Sequence, residues 1–237
     1  MRYWMIALLL LLTTSSLVRA QEDTSAKEAK TEAKSEENTD DKKPETLDDL
    51  LKRIEKSHKE HKDFKGNFEQ TKYLPLFGDE IKSNGKFIFK KPDHVRWEYT
   101  KPHKSILVVT GDNGKKWSES TNRVENFKLG DDRGLDAVVK QLFTWFKGEF
   151  TKLKDDYTVT IEARDPAKLK MVPKKEIVKK FIASIEVKFG KKEAEIASVK
   201  IVEPLAEGDE EAGYTLYEFK DTKLDSDVED SEFKITK

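Results

Sequence analysis

His58 and His61 are the residues whose type and spacing come nearest to a chemical site. They lie three positions apart in a stretch with helical periodicity, so both imidazoles can share one helix face, as zinc ligands do. A zinc site needs three or four ligands, however, and the neighbouring residues are lysines and glutamates. Because His is also favoured near a helix C-terminus, we interpret the pair as the polar end of a helix and expect no metal site.

The motifs that would indicate an enzyme are missing from the sequence. The 237 residues include no cysteine, which removes thiol nucleophiles, disulfides and cysteine-based metal sites. There is also no glycine-rich phosphate loop, nucleophile elbow or zinc-protease motif. Acidic residues are numerous, but no pair stands in an apolar setting that would shift a pKa. We therefore expect a protein that is not an enzyme and that uses no cofactor.

The most informative pattern is a set of large apolar side chains at alternating positions. Such alternation predicts strands with one apolar face. An ordinary core packed beneath a helix is the favoured interpretation from composition alone. A large apolar cavity for a ligand would show the same pattern, so both interpretations stay open. The residues expected on this face are Phe68, Phe87, Phe89, Val95, Trp97 and Tyr99.

Two helices and a series of strands are expected to carry this face. Thr46 followed by Asp49 resembles a capping box, and the apolar residues after it predict a helix that ends near His61. Between the two helices and after the second, short alternating segments separated by turn residues predict an antiparallel meander, which closes with Phe233 and Ile235. The second helix has a broad apolar stripe made of Leu135, Val138, Val139, Leu142, Phe143 and Phe146.

The N-terminal part of the chain predicts export. Arg2, an apolar run shorter than the ~20 residues that span a membrane, and Val18-Arg19-Ala20 together form the pattern of a signal peptide over residues 1–20. Residues 21–46 are rich in Glu, Lys, Ala and Ser, and we interpret them as a disordered charged linker. With 45 basic and 46 acidic residues, the overall field does not favour nucleic acid or an anionic membrane.

Short motifs follow one another in a fixed order in the first half of the chain. They are Phe68-Glu69-Gln70, Ser83-Asn84-Gly85-Lys86-Phe87-Ile88-Phe89, Lys91-Pro92, Arg96-Trp97 and Lys101-Pro102. On these motifs the chain resembles the LolA family of outer-membrane lipoprotein carriers, from about Leu47 to residue 237. A later segment, Leu169-Lys170-Met171-Val172-Pro173, resembles a further element of that family.

The resemblance implies both a fold and a function. The fold would be mainly β, an unclosed antiparallel β-barrel with helices covering its mouth as a lid. The protein would be a soluble, monomeric periplasmic chaperone, cleaved after Ala20, that binds lipoprotein acyl chains in an apolar cavity. Its partners would be an inner-membrane ABC lipoprotein-release complex and an outer-membrane lipoprotein acceptor. The alternating face listed above would line the cavity, and the stripe of the second helix would form the lid.

One position departs from the family pattern, and two other functions stay open. Family members carry an arginine that holds the lid where this chain has Lys91. Lysine keeps the charge but lacks the planar fork of arginine, so we expect a looser lid latch. The same fold would also suit a carrier of another lipid or glycolipid, or a periplasmic regulator that senses lipoproteins.

Overall fold

The computed structural model describes residues 45–131, 139, 143 and 146–235, and these contain eleven strands joined in one sheet. The predicted signal peptide and nearly all of the predicted linker lie outside the described residues. The strands are β1 Asp63–Leu74, β2 Asp79–Lys90, β3 His94–Lys101, β4 Ser105–Thr110, β5 Asn113–Ser118, β6 Arg123–Lys128, β7 Tyr157–Arg164, β8 Ala167–Pro173, β9 Ser184–Phe189, β10 Ile196–Val202 and β11 Tyr214–Leu224.

The sheet is antiparallel throughout and is not closed. Its strand order is β6-β5-β4-β3-β2-β1-β11-β10-β9-β8-β7, so two hairpin meanders meet where β1 pairs with β11. Within the part of the chain that the structure describes, β6 and β7 are the two edges. The expected unclosed antiparallel fold is therefore confirmed.

Few helices accompany the sheet in the described residues. The helix α1 spans Leu47–Lys59, and the capping box predicted for it is present, because Thr46 accepts a hydrogen bond from the amide of Asp49 and the Asp49 side chain accepts one in return. Two short helices follow, α2 at Leu153–Asp156 and α3 at Glu176–Lys179. None of the helices in the described ranges is both long enough and apolar enough to cross a membrane.

Two apolar cores lie on the same face of the sheet. The first core is mainly aliphatic and packs α1 and α2 against β8, β9 and β10; it includes Leu50, Leu51, Ile54, Phe150, Leu153, Leu169, Met171, Ile185, Val187 and Phe189. The second, which we name the aromatic layer, lies over β1, β2, β3 and β11; it includes Phe64, Phe68, Phe87, Phe89, Val95, Trp97 and Tyr217, with Tyr99 partly buried.

The last residues of the chain cover the opposite face. Val228 and Phe233 pack on Val108 of β4, and Arg96 donates hydrogen bonds to the backbone oxygens of Glu232 and Lys234. The expectation of a closing strand at Phe233 and Ile235 is wrong, because Asp230–Phe233 is a 3-10 helix. The alternation there reflects two contacts on the back of the sheet.

A glycine in β2 makes room for the aromatic layer. Gly85 pairs with Phe68 across the strands, and the Phe68 ring lies over the glycine backbone. A Cβ at position 85 would overlap both this ring and the backbone oxygen of Glu98. The glycine of the Ser-x-Gly motif is therefore a packing requirement of the layer.

We predict that Gly85→Ala lowers the free energy of unfolding by about 2–3 kcal/mol, because two neighbours would have to move. Gly190→Ala is the matched control, since the nearest atoms to its new Cβ would be the Glu195 side chain at 3.3 Å and the Glu195 backbone oxygen at 3.6 Å. Its effect should stay within about 1 kcal/mol. Urea unfolding measures both, and equal losses for the two variants would contradict the packing role of Gly85.

Candidate functional site

The six residues predicted to line a cavity all come together in the aromatic layer. Phe68, Phe87, Phe89, Val95 and Trp97 are buried, and Tyr99 is partly buried. Their rings touch closely: Phe68 stacks on Trp97 with 4.2 Å between centroids and meets Tyr99 edge-on at 5.2 Å. The alternation in the sequence therefore identified correctly which side chains lie together on one face of the sheet.

Side chains from the predicted lid helix cover this layer. Val139, Phe143 and Phe146, which we name the covering segment, are helical and buried in the layer. Phe146 stacks on Phe89 at 5.0 Å and on Phe87 at 5.7 Å, and Phe143 lies 6.0 Å from Phe89. The other predicted lid residues, Leu135, Val138 and Leu142, lie outside the described residues.

Very little space remains between the layer and its cover. The cavity left there has a volume of about 10 Å³, which is about the room that one water molecule requires. Its lining includes Phe64, Phe87, Phe146 and Phe219 from the layer and His58 from α1. Among the described residues the layer is closely packed around this cavity, which is too small for a ligand. Whether the layer binds a ligand stays a prediction.

Lys91 holds the end of α1. It follows β2 directly, and its Nζ donates a hydrogen bond to the backbone oxygen of His58 at 2.6 Å while lying 5.9 Å from the Phe64 ring centroid. Burial lowers the pKa of Lys91. The family latch position therefore contacts the last turn of α1, where a cation also complements the helix dipole. The role of Lys91 as a lid latch stays a prediction.

His58 is not the polar helix end that the sequence was taken to indicate. Its side chain is fully buried, stacked on Phe64 at 5.1 Å and edge-on to Phe150 at 5.3 Å. Both ring nitrogens lack a hydrogen-bond partner. Burial, then the nearby charges of Lys91 and His61, lowers the pKa of His58 to about 3. The sequence did contain a signal, since His58 follows Ile54 by four residues and so continues the apolar stripe.

His61 points to a different environment from His58. Its Nδ1 lies 2.7 Å from one carboxylate oxygen of Asp225, and the other oxygen of Asp225 accepts a hydrogen bond from the amide of Lys62. These contacts lower the pKa of Asp225. The described residues contain no group of three or more His, Cys, Asp or Glu side chains placed to hold a metal ion.

An open antiparallel sheet with a buried apolar face under a helical cover is the architecture of binding and carrier proteins of the LolA type. A family model described as "Outer membrane lipoprotein carrier protein LolA" matches residues 59–236, well over half of the sequence. The chain therefore belongs to the LolA family. Proteins of this family are periplasmic binding or carrier proteins. A comparison with curated protein sequences found no match.

Solved structures of similar fold are distant in sequence. A LolA superfamily protein from Nitrosomonas europaea has 12% identity and a TM-score of 0.40, over 80% of this chain and 98% of the other. An outer membrane lipoprotein-sorting protein domain from Vibrio parahaemolyticus has 10% identity and a TM-score of 0.40, over 77% and 94%.

The MucB of the Pseudomonas aeruginosa MucA/MucB complex has 11% identity and a TM-score of 0.44, over 79% of this chain and 60% of that chain. Identities and TM-scores this low do not indicate what this chain binds.

We predict that His58 makes the protein less stable in acid. The folded pKa of about 3 lies below the ordinary 6.5, so the unfolded chain takes up the proton first as the pH falls below 6.5. Stability is therefore lost progressively from there towards pH 3. Between about pH 7 and pH 5 the loss due to His58 should be about 2 kcal/mol.

The measurement is urea unfolding of the wild type and His58→Phe at both pH values. The phenylalanine keeps an aromatic ring between Phe64 and Phe150 but cannot titrate. His61→Gln serves as the control. An acid sensitivity that is the same in the wild type and His58→Phe would show that His58 titrates freely in the folded state.

Proposed function

We propose that this protein is a soluble periplasmic carrier that binds the acyl chains of lipoproteins between the aromatic layer and the covering segment. The observation that supports it best is the apolar contact of Phe143 and Phe146 with Phe87 and Phe89. These four side chains are aromatic hydrocarbons, and they contact one another through their rings. An acyl chain offers the same kind of apolar surface and can replace these rings on the layer.

The requirement for such a carrier is physical. Each methylene moved into water costs about 0.8 kcal/mol, so a lipoprotein cannot cross an aqueous compartment with its chains exposed. A carrier needs an apolar face that is covered when it is empty and accessible when it is loaded. Because only about 10 Å³ is open in the present state, loading requires a second, open state in which the covering segment has moved away.

Lys91 is suited to influence that movement through α1. Its bond fixes the backbone at His58, and the His58 ring packs on Phe150, just after the covering segment. Gly148 lies directly against His58, so close that a Cβ on it would collide with the His58 side chain. A shift of the α1 end would therefore displace residues 148–150, which contact His58. Through these contacts the proposed latch could move the covering segment, which directly precedes them.

The proposal includes a location and partners. The mature protein would begin at Gln21 in the periplasm, load from an inner-membrane ABC lipoprotein-release complex and deliver to an outer-membrane lipoprotein acceptor. It would work without cofactor, metal or nucleic acid, and it would catalyse no reaction. Mass spectrometry of lipids and lipoproteins that co-purify with the periplasmic protein tests the nature of the cargo directly.

We predict that Phe89→Ala and Phe189→Ala have different effects, although both side chains are fully buried. Phe189 belongs to the first core, so its truncation should cost about 3–5 kcal/mol of stability and leave acyl binding intact. Phe89 faces the covering segment, which can settle onto a smaller residue. Its truncation should cost less stability and weaken binding of a fluorescent fatty-acid probe.

Denaturant unfolding and probe titration on the same samples separate the two roles. Phe89 would be an ordinary core residue if its truncation cost as much stability as that of Phe189 while the probe bound normally. Binding weakened equally by both variants would also count against a ligand role of the layer.

We predict that Lys91→Met releases the bound probe faster than the wild type, because the end of α1 loses a charge-assisted hydrogen bond. Lys91→Arg should release it more slowly, since its planar fork can donate more than one hydrogen bond. Lys90→Met is the control, because the adjacent Lys90 pairs with Asp230 instead. Stopped-flow release into acceptor vesicles measures all three variants. Equal rates in all of them would remove Lys91 as a latch.

A further inference from the structure

Three residues around the aromatic layer carry polar atoms that the fold does not satisfy. Among the residues that the structure describes, the buried side-chain nitrogen and oxygen atoms without a hydrogen-bond partner are Nδ1 and Nε2 of His58, Nε1 of Trp97 and the hydroxyl of Tyr217. Buried polar groups are almost always paired, because leaving one unpaired loses its hydration without return. Trp97 and Tyr217 lie against each other, so this pair in particular requires an explanation.

Trp97 and Tyr217 form a polar corner inside the layer. Trp97 is 3% exposed and Tyr217 is 5% exposed, and their rings meet edge-on at 5.8 Å. The hydroxyl of Tyr99 donates to Oε1 of Gln70 at 2.6 Å. Burial raises the pKa of Tyr99, and weak hydrogen bonding by the nearby Tyr217 hydroxyl and Trp97 indole partly offsets that rise. Neither of these two contacts has the distance and angles of a full hydrogen bond.

The corner is rich in donors and neutral. The indole N–H of Trp97 can only donate, and the Tyr217 hydroxyl can donate. Burial raises the pKa of Tyr99 and of Tyr217, so both hydroxyls keep their protons at neutral pH. The group that complements such a corner is an acceptor without charge, since a buried carboxylate or phosphate would need a cation beside it.

We propose that Trp97 and Tyr217 bind the carbonyl oxygen of an acyl chain in ester or amide linkage. One carbonyl oxygen has two lone pairs, which matches two donors. This inference rests on the proposed function and specifies its ligand: esterified or amidated chains, in preference to ethers, hydrocarbons and ionised free fatty acids. The aromatic faces around the corner would hold the adjacent methylenes.

The test compares two lipids that differ in the carbonyl alone. A monoacylglycerol and the corresponding alkyl glycerol ether, with chains of equal length, compete for the bound fluorescent fatty-acid probe. The wild type should bind the ester roughly five-fold more tightly, which is the size of one net hydrogen bond. In Tyr217→Phe the preference should fall towards one, while the ether binds as before.

Two further variants keep the test decisive. Tyr214→Phe is the control on the same strand, since its hydroxyl contacts Glu80 at the exposed end, and it should retain the full preference. Trp97→Phe should also lose the preference, with a melting temperature measured beside it. Tyr217→Phe should melt no lower than the wild type, because it removes a hydroxyl that has no partner in the closed state.

Each outcome has one meaning. Equal binding of ester and ether by the wild type would overturn the carbonyl site and leave the proposed function standing. So would a preference that persists in both Tyr217→Phe and Trp97→Phe. If neither the ester nor the ether displaced the probe, the proposed function would be refuted, and this inference with it.

Discussion

The sheet presents an apolar face that it cannot cover by itself. In a closed barrel the opposite wall would do so, but here the edges β6 and β7 do not meet, and the rings of Phe68, Phe87 and Phe89 would face water. Burial of such a face contributes about 25 cal/mol per Å² whatever apolar group provides it. A cover made of side chains can therefore exchange with an acyl chain at a small net change in free energy, and that balance is what reversible binding requires.

The two cores differ in how completely their buried polar groups are paired. The first core joins α1 to three strands mainly through aliphatic side chains. Among the described residues, the buried polar groups without a partner include the indole of Trp97 and the hydroxyl of Tyr217, which lie in the aromatic layer. The His58 ring, also without a partner, lies between Phe64 of that layer and Phe150 of the first core. Buried polar groups without a partner are characteristic of functional regions. The stability that they cost is offset by the rest of the fold. In the proposed carrier, the layer that would open is thus also the part that contains the unpaired groups of Trp97 and Tyr217.

The sequence predicted those parts of the fold where a clear residue pattern, such as alternation or a capping box, has a single structural cause. Alternation in β1, β2 and β3 placed the aromatic residues on a common face, and Thr46 with Asp49 marked the start of α1. The strand β10 was not predicted, because a register shift between Ile196 and Ser198 breaks its alternation. The strand β6 was also missed, since it is an exposed edge with little apolar periodicity.

The candidate site was predicted less completely than the fold. Side-chain parity identifies which residues share a face, but it does not show whether the space above that face is filled. That depends on the rings of the covering segment, which reduce it to about 10 Å³. The burial of His58 was also misjudged, because its type suggested a polar surface although its position continued the stripe of α1. The polar corner of Trp97 and Tyr217 was not expected either, because strand parity does not show which polar atoms of aromatic side chains find a partner.

The helix α1 connects the two halves. Its stripe of Leu50, Leu51 and Ile54 is fixed in the first core, while its last turn brings His58 into contact with Phe64 of the aromatic layer. Lys91 ties that turn to the end of β2. A helix that is held firmly along its length and by one bond at its tip can transmit a small movement of the tip without loss of the fold. In the proposed carrier, the first core would therefore be the fixed support against which the cover of the aromatic layer moves.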